Sequence, residues 1–244
     1  MKVKNILDFI EKIAPFSLAL SYDNVGLLVG DPENEVTKIL FTLDITVDAV
    51  DSAIKNGCEL IVSHHPVIFN PIKSVTAESV VYKLASNRIS AICAHTNLDR
   101  AQGGVNDTLA ALVGMKNIEI LCPDDFEIIG RIGDIEPISV PDYVEKLKMI
   151  LKTENISFYD SKKTIKRLAV ISGGGGGDIH AAKAAGADAL LTGEAKYNQL
   201  VDCINMGFSL IAAGHYETEN PVLPVIAKKV SDEFPEIKAF IYER

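Results

Sequence analysis

Cysteine, clustered basic side chains and long apolar runs are all in short supply, and each shortage removes a class of protein. The cysteines are Cys58, Cys93, Cys122 and Cys203, irregularly spaced and without a Cys-x-x-Cys pair. That spacing argues against a zinc knuckle or a disulfide framework and leaves buried thiols in a reducing cytoplasm. No uninterrupted apolar stretch approaches the roughly 18–20 residues that span a bilayer. The opening Met-Lys-Val-Lys passes straight into an amphipathic segment rather than a signal-peptide apolar region, so a cytoplasmic protein with no membrane partner is expected. Lysine and arginine number 24 against 33 acidic residues, a net charge of −9, with no local basic cluster. This argues against a nucleic acid as the main partner, because phosphate binding needs a basic face. The chain also lacks a Gly-x-Ser-x-Gly elbow, and Ser63 has no evident His/Asp relay, which sets aside a serine hydrolase.

What remains is ordinary globular material: 244 residues, 48% hydrophobic, enough for one large domain or two small ones. Ile6, Phe9, Ile10 and Ile13 form the stripe of an amphipathic helix ended by Pro15. Val36 to Leu43 reads as a strand. Thr46 caps a helix that closes at Gly57, and Leu60 to Ser63 is a buried strand. The spacing predicts a helix over 76–86, a strand over 89–94 and a helix over 104–112. Beyond Pro123 it predicts a helix from about Pro141, strands over 156–159 and 165–171, and a helix from Asp178 to Gly186. A strand over 189–191, a helix over 194–206, a strand over 209–212, a helix from Pro221 and a strand over 238–241 complete the series. This alternation indicates an α/β fold with mixed sheets.

One segment repeats. Ile54-x-x-Gly57-x-x-Leu60-Ile61 is echoed by Ile204-x-x-Gly207-x-x-Leu210-Ile211, and each copy runs into a histidine, His65 and His215. Two similar halves are one reading; a common helix-glycine-strand unit is the other. The apolar pattern breaks near Cys122-Pro123-Asp124-Asp125. The expected halves are residues 1–123, completed by 216–244, and residues 124–215.

Of the five histidines, four sit in short segments that follow apolar strands. These are Ser63-His64-His65-Pro66, His95-Thr96-Asn97-Leu98-Asp99, and Gly214-His215-Tyr216-Glu217-Thr218-Glu219. Imidazole and carboxylate without thiolate suit Zn, Mn or Fe in a hydrolytic site better than a structural zinc. Adjacent residues on an extended chain point apart, so His64 and His65 are expected to serve two ions about 3.5–4 Å apart with a carboxylate between them. The fifth histidine, His180, is expected on the surface or in a structural role. Asp23, Asn24, Asp44 and Thr46 read as caps or as supports for the site. Gly173 to Gly177 reads as a tightly packed turn before it reads as a phosphate cradle, because no Lys-Ser/Thr follows.

These segments together resemble the NIF3 family, also called GTP cyclohydrolase 1 type 2 homologues. The residues that carry the resemblance are Asp23-Asn24-Val25-Gly26-Leu27, Leu43-Asp44-x-Thr46, Ser63-His64-His65-Pro66, His95 to Asp99 with Gly103-Gly104-Val105-Asn106, and Gly214-His215-x-x-Thr218-Glu219. The resemblance implies two α/β domains with a dinuclear metal site in the cleft between them, and a homohexamer. It puts His65 and Asp99 on one ion, His64 and His215 on the other, and Glu219 as the bridge, with His95 a near neighbour. Glu219 and His95 are then the catalytic candidates. The implied activity is hydrolysis of a small phosphorylated or nucleotide-like substrate through a metal-activated water; a metal-binding scaffold with little turnover is the alternative. The chain departs from the pattern at Glu194 and Asn198, where many relatives carry Asp and His. It also has no room for the extra domain that longer relatives insert between the halves.

Overall fold

The computed structural model describes residues 1–243. It divides into two compact units, one of residues 1–102 and 223–244, the other of residues 103–222. These divisions fall at Gln102/Gly103 and Val222/Leu223, where the sequence pattern suggested 123 and 216.

The first unit opens with helix α1 (Val3–Ile13), then strands β1 (Gly26–Val29) and β2 (Lys38–Thr42), α2 (Val47–Asn56), β3 (Leu60–Ser63), α3 (Val80–Ser86), β4 (Ser90–Cys93) and α4 (Thr96–Arg100). The second unit carries α5 (Val105–Leu112), β5 (Lys116–Ile120), β6 (Arg131–Ile138), α6 (Val140–Leu151), β7 (Ser157–Tyr159), β8 (Ile165–Ile171), α7 (Ile179–Ala184), β9 (Ala189–Thr192), α8 (Tyr197–Met206), β10 (Ser209–Ala212) and α9 (His215–Glu219). The chain then returns to the first unit through α10 (Val222–Glu233) and β11 (Lys238–Ile241).

Each unit is built on one mixed sheet. The first has the order β1-β4-β3-β2-β11, with only β1 antiparallel to its neighbour. The second has the order β5-β6-β8-β9-β10-β7, in which β8, β9 and β10 are parallel. Strand residues alternate between faces with a period of two, so a sheet covered on both sides needs apolar residues at every position. The second sheet meets this demand. Leu168, Val170, Ala189, Leu191 and Ile211 join one buried cluster with α5 and α6. Their neighbours Ala169, Ile171, Leu190 and Leu210 join another that holds Ile179 and Ala182 of α7 and Cys203 of α8. In the first unit Leu40, Ile61 and Ala91 pack with Ala49, Val50 and Ala53 of α2 and Leu84 of α3. Phe41 is only 1% exposed and is among the largest side chains fully enclosed there. The Phe41→Ala protein should lose about 3–5 kcal/mol of stability through lost burial and the cavity left behind, read as a lower midpoint in urea unfolding.

Local signals explain the helix ends. The Thr46 side chain accepts from Ala49 N at the start of α2, and Gly57 closes that helix in the left-handed conformation, as Gly207 closes α8. The sequence echo is therefore a true structural repeat of helix, left-handed glycine and buried strand. Three expectations about helix starts change, and one is α8, which begins at Tyr197 rather than at 194. α3 begins at Val80 rather than Thr76, because Ser79 is the residue whose hydroxyl caps it. Asp178 makes no capping bond; residues 175–178 wind into a 3-10 turn instead. All four cysteines are free thiols, three of them buried. Among the described residues no helix is long and apolar enough to cross a membrane.

Candidate functional site

In both units the chemistry collects at the carboxyl ends of three consecutive parallel strands, where open α/β sheets place their sites. In the first unit β2 is followed by Asp44, β3 by His64 and His65, and β4 by His95. In the second, β8 is followed by Gly173, β9 by Glu194, and β10 by His215.

The first-unit histidines form a trio. Ring centroids lie 4.9 Å apart for His64 and His65, 5.2 Å for His64 and His95, and 5.6 Å for His65 and His95. One ligand atom from each lies within 4.8 Å of the others, a grouping able to hold a metal ion. The expectation that His64 and His65 point apart does not hold, and the backbone gives the reason. Successive amides of an extended strand face opposite neighbours. Here both turn to the same one: His64 N donates to Thr42 O at 3.1 Å and His65 N to Leu43 O at 2.9 Å. β3 has ended at Ser63, the chain is coiling, and adjacent rings can share a side.

Each histidine has one ring nitrogen committed to an oxygen. His64 Nδ1 is 3.0 Å from the Ala94 carbonyl, which can only accept, so that nitrogen carries the hydrogen. His65 Nδ1 meets Asp44 Oδ1 at 2.8 Å, and His95 Nδ1 meets Asp23 Oδ1 at 2.8 Å. In the second unit His215 Nδ1 meets Glu194 Oε1 at 3.1 Å. An acceptor at Nδ1 places a hydrogen on that nitrogen and turns Nε2 outward, the orientation that metal-binding histidines use. The supports differ in strength. Asp23 has a fully enclosed side chain, Asp44 is partly open, and Glu194 is 66% exposed, so solvent screens its hold on His215. Burial raises the Asp23 carboxyl, but hydrogen bonds from His95 and Thr96 outweigh it and leave Asp23 far below the usual carboxylate range.

Carboxylates stand beside the Nε2 atoms. Asp99 Oδ1 lies 3.6 Å from His64 Nε2, although the resemblance pairs Asp99 with His65. Glu219 Oε1 lies 3.2 Å from His215 Nε2. Two ligands that are each about 2.1 Å from one ion at 90–109° are themselves roughly 3.0–3.4 Å apart, so both spacings are near what a shared ion imposes. His64, Asp99 and Glu219 are all buried. Helix geometry produces the second pairing: α9 is a single short turn that brings His215 and Glu219, four positions apart, onto one face. α4 repeats the device, with His95 at its start and Asp99 four positions on.

Glycines let the second unit close around Glu219. Gly173 adopts φ +57°, and a Cβ there would collide with Glu219 Oε1 and approach His215 Nε2 to 3.0 Å. Its amide donates to Thr218 Oγ1 at 3.1 Å, and Thr218 in turn donates to Gly214 O at 2.9 Å, tying the glycine run to α9. The packed-turn reading of that run thus bears on how closely Glu219 and His215 approach it. Asn106, in the motif that carried the resemblance, accepts from Ser172 N at 2.8 Å and anchors the same run. His180 is exposed on α7, as expected. The Cys93 thiol donates to the His64 carbonyl at 3.1 Å and is raised by burial, so it stays protonated and leaves nitrogen and oxygen as the donor set.

Asp44, Asp23 and Glu194 are the site residues that the sequence left undecided between capping, support and no role. No periodicity marks a carboxylate that approaches a histidine from another strand end. Their one legible signal was position at a strand end or turn.

Comparison with known proteins identifies the family. The family model for Duf34/NIF3 (NGG1p interacting factor 3) matches residues 1–244. A GTP cyclohydrolase 1 type 2 homolog of Clostridium perfringens is 35% identical over 253 residues, covering 100% of this chain and 97% of the relative. Among solved structures, a Staphylococcus aureus hypothetical protein aligns with a TM-score of 0.93 at 29% identity, covering 100% of this chain and 97% of its own. The reduced form of HcgD from Methanocaldococcus jannaschii aligns at 0.88 with 31% identity, covering 100% and 98%. By its motifs, its fold and a match over its whole length, the chain belongs to the DUF34/NIF3 family.

Proposed function

We propose that this protein binds two divalent metal ions per subunit through His64, His65, Asp99, His215 and Glu219, and that it is a metal-dependent hydrolase. The observation that carries this reading is the shared setting of the histidines: in all four, Nδ1 meets an oxygen within 3.1 Å, and the Nε2 atoms of His64 and His215 stand beside buried carboxylates. With Asp99 and Glu219 beside two of them, the donor set fits Zn, Mn or Fe. Bound there, divalent ions supply Lewis acidity and make a water available as a nucleophile near neutral pH. Glu219, a buried carboxylate, would balance ion charge, and His95 stands next to the ligands as a candidate for moving protons.

The proposed substrate is small and phosphorylated or nucleotide-like. The name carried by the curated relatives supports this class, and so do two exposed rings near His95. Phe69 lies 6.3 Å from His95 and Tyr22 lies 6.3 Å from Phe69, faces on which a planar base can rest. We further propose a homohexameric assembly in the cytoplasm.

Elemental analysis of the purified protein should find two ions per chain, and a screen of GTP, other nucleotides and phosphoesters should find metal-dependent turnover. The His65→Ala protein should lose at least about 10²-fold in that turnover. The family description names an interaction, which favours a second reading as a metal-binding scaffold. Full metal occupancy with no turnover across the screen would decide for the scaffold.

A further inference from the structure

β7 is an outer strand of the second sheet, and α8 does not close over it. Ser157 and Tyr159 stand opposite Ala212 and Leu210 of β10. Cross-strand partners share a face, so these four side chains lie on the side of the sheet that α8 covers. Leu210 and the half-buried Tyr159 pack in the cluster that holds Cys203, yet Cys203 is the only buried residue of α8. Nearer the start of the helix, Leu200 is half-buried and Tyr197 is 81% exposed. Ala212 fills little of the space beneath them, because its side chain is one methyl group. The result is a cleft of about 370 Å³, measured to its open mouth, between β7, the end of β10 and the first turn of α8. That is the size of a small-ligand site, and the three residues of β7 give little edge for an added peptide strand.

Two polar groups in the cleft are uncommitted. Lys196, exposed at the rim, forms no ion pair among the described residues, in a chain whose net charge is −9. The Tyr159 hydroxyl has no hydrogen-bond partner among the described residues either, although half-buried phenols ordinarily find one. The cleft also adjoins the second unit's half of the proposed metal site. Ala195, in its wall, follows Glu194, which bonds His215, and Ala212 ends β10 just ahead of Gly214 and His215. An occupant must then be flat enough to lie on Leu210 and Ala212, offer the Tyr159 hydroxyl a polar edge, and carry negative charge toward Lys196. Tyr22 and Phe69 of the first unit are exposed faces without enclosing walls.

Resting on the substrate class proposed above, we infer that this cleft is a ring-binding subsite. It takes the base of a nucleoside phosphate, and Lys196 takes the phosphate.

The chain has no tryptophan, so Tyr197→Trp installs a single fluorescent reporter at the rim of the cleft. In the full-length protein as purified, guanosine monophosphate should quench that reporter saturably, and guanosine should do so more weakly. Adding Lys196→Gln should weaken the monophosphate at least about tenfold, the effect of one charge-assisted contact, and leave guanosine unchanged. Adding Tyr159→Phe should weaken both alike, by roughly 2–10-fold. Leu200→Phe, which fills the cleft, should abolish both. Saturation-transfer NMR on the wild-type protein, which needs no reporter, should show the base protons of the monophosphate in contact with the protein. Neither quenching nor saturation transfer at millimolar ligand would overturn the inference. So would an equal response of the two ligands to Lys196→Gln, or transfer that survives Leu200→Phe and vanishes in Phe69→Ala. Nucleotide turnover with a wild-type KM in the cleft variants would remove the subsite and leave the hydrolase reading standing. Saturable binding in the cleft with no metal-dependent turnover would remove the hydrolase reading and leave the subsite.

Discussion

The Glu219→Ala protein is expected to lose its divalent ions and its turnover together. Glu219 is 4% exposed, and its Oε1 stands 3.2 Å from His215 Nε2 at the end of a helix too short to hold that spacing by itself. A buried carboxylate is unfavourable unless a cation or several donors offset its desolvation. On the proposed ligand set, the offsetting partner is the metal. Losing an outer partner of a ligand costs about 10–100-fold in metal affinity, and losing the ligand should exceed that. The companion Glu219→Gln removes the charge and keeps the shape, which separates ligand loss from misfolding. Without metal it should melt no lower than the metal-free wild type, since an enclosed charge has gone. The rise in melting temperature that added metal gives the wild type should vanish, because stabilisation by a ligand follows its occupancy. A Glu219→Ala protein that retained two ions by elemental analysis would remove Glu219 from the ligand set.

Gly173→Ala should reach the same endpoint by a different route. The substitution places a Cβ where Glu219 Oε1 lies, at a backbone φ of +57° that side chains other than glycine seldom adopt. The conformational part costs about 1 kcal/mol, too little to unfold a domain of this size. Glu219 cannot stay in place to accommodate the methyl group, so it must leave the position from which it faces His215. Stability should fall modestly while metal affinity falls steeply. Gly174→Ala is the control: φ there is −82° and a Cβ would meet nothing within 4 Å, so both quantities should stay near wild type. Equal metal affinity in the two variants, measured by competition with a chelator, would show that Gly173 does not shape the site.

Long apolar periodicities were legible in the sequence, and so were β8, β9, β10, α2 and α10, whose bounds the structure changes by only a residue or two. β6 was not legible, because Arg131, Gly133 and Pro137 interrupt its pattern; Arg131 is nonetheless buried, paired with Asp107. α4 and α9 are each five residues, too short for a 3.6-residue period to register. Those two turns hold Asp99 and Glu219, so the acidic candidates were found through residue type and resemblance rather than predicted structure. The unit division was hidden for a related reason. The polar break at Pro123 is conspicuous, yet Leu109 and Ala110 of α5 already pack with α6 and β8 on the second sheet. Which apolar helix joins which sheet depends on long-range packing that composition does not record.

The return of the chain to its first sheet sets an order of events during synthesis. β11 pairs in parallel with β2, Lys238 against Lys38, a partner made 200 positions earlier. Residues 103–222 form a unit of their own and emerge from the ribosome after β2 and before β11. β2 therefore waits with an unpaired edge while the second unit is made, and the sheet carrying His64, His65 and His95 is completed by a strand that follows that whole unit. If the proposed ligand set is right, a nascent chain arrested before residue 238 should bind divalent ions poorly even though His64, His65, His95 and His215 have already been translated.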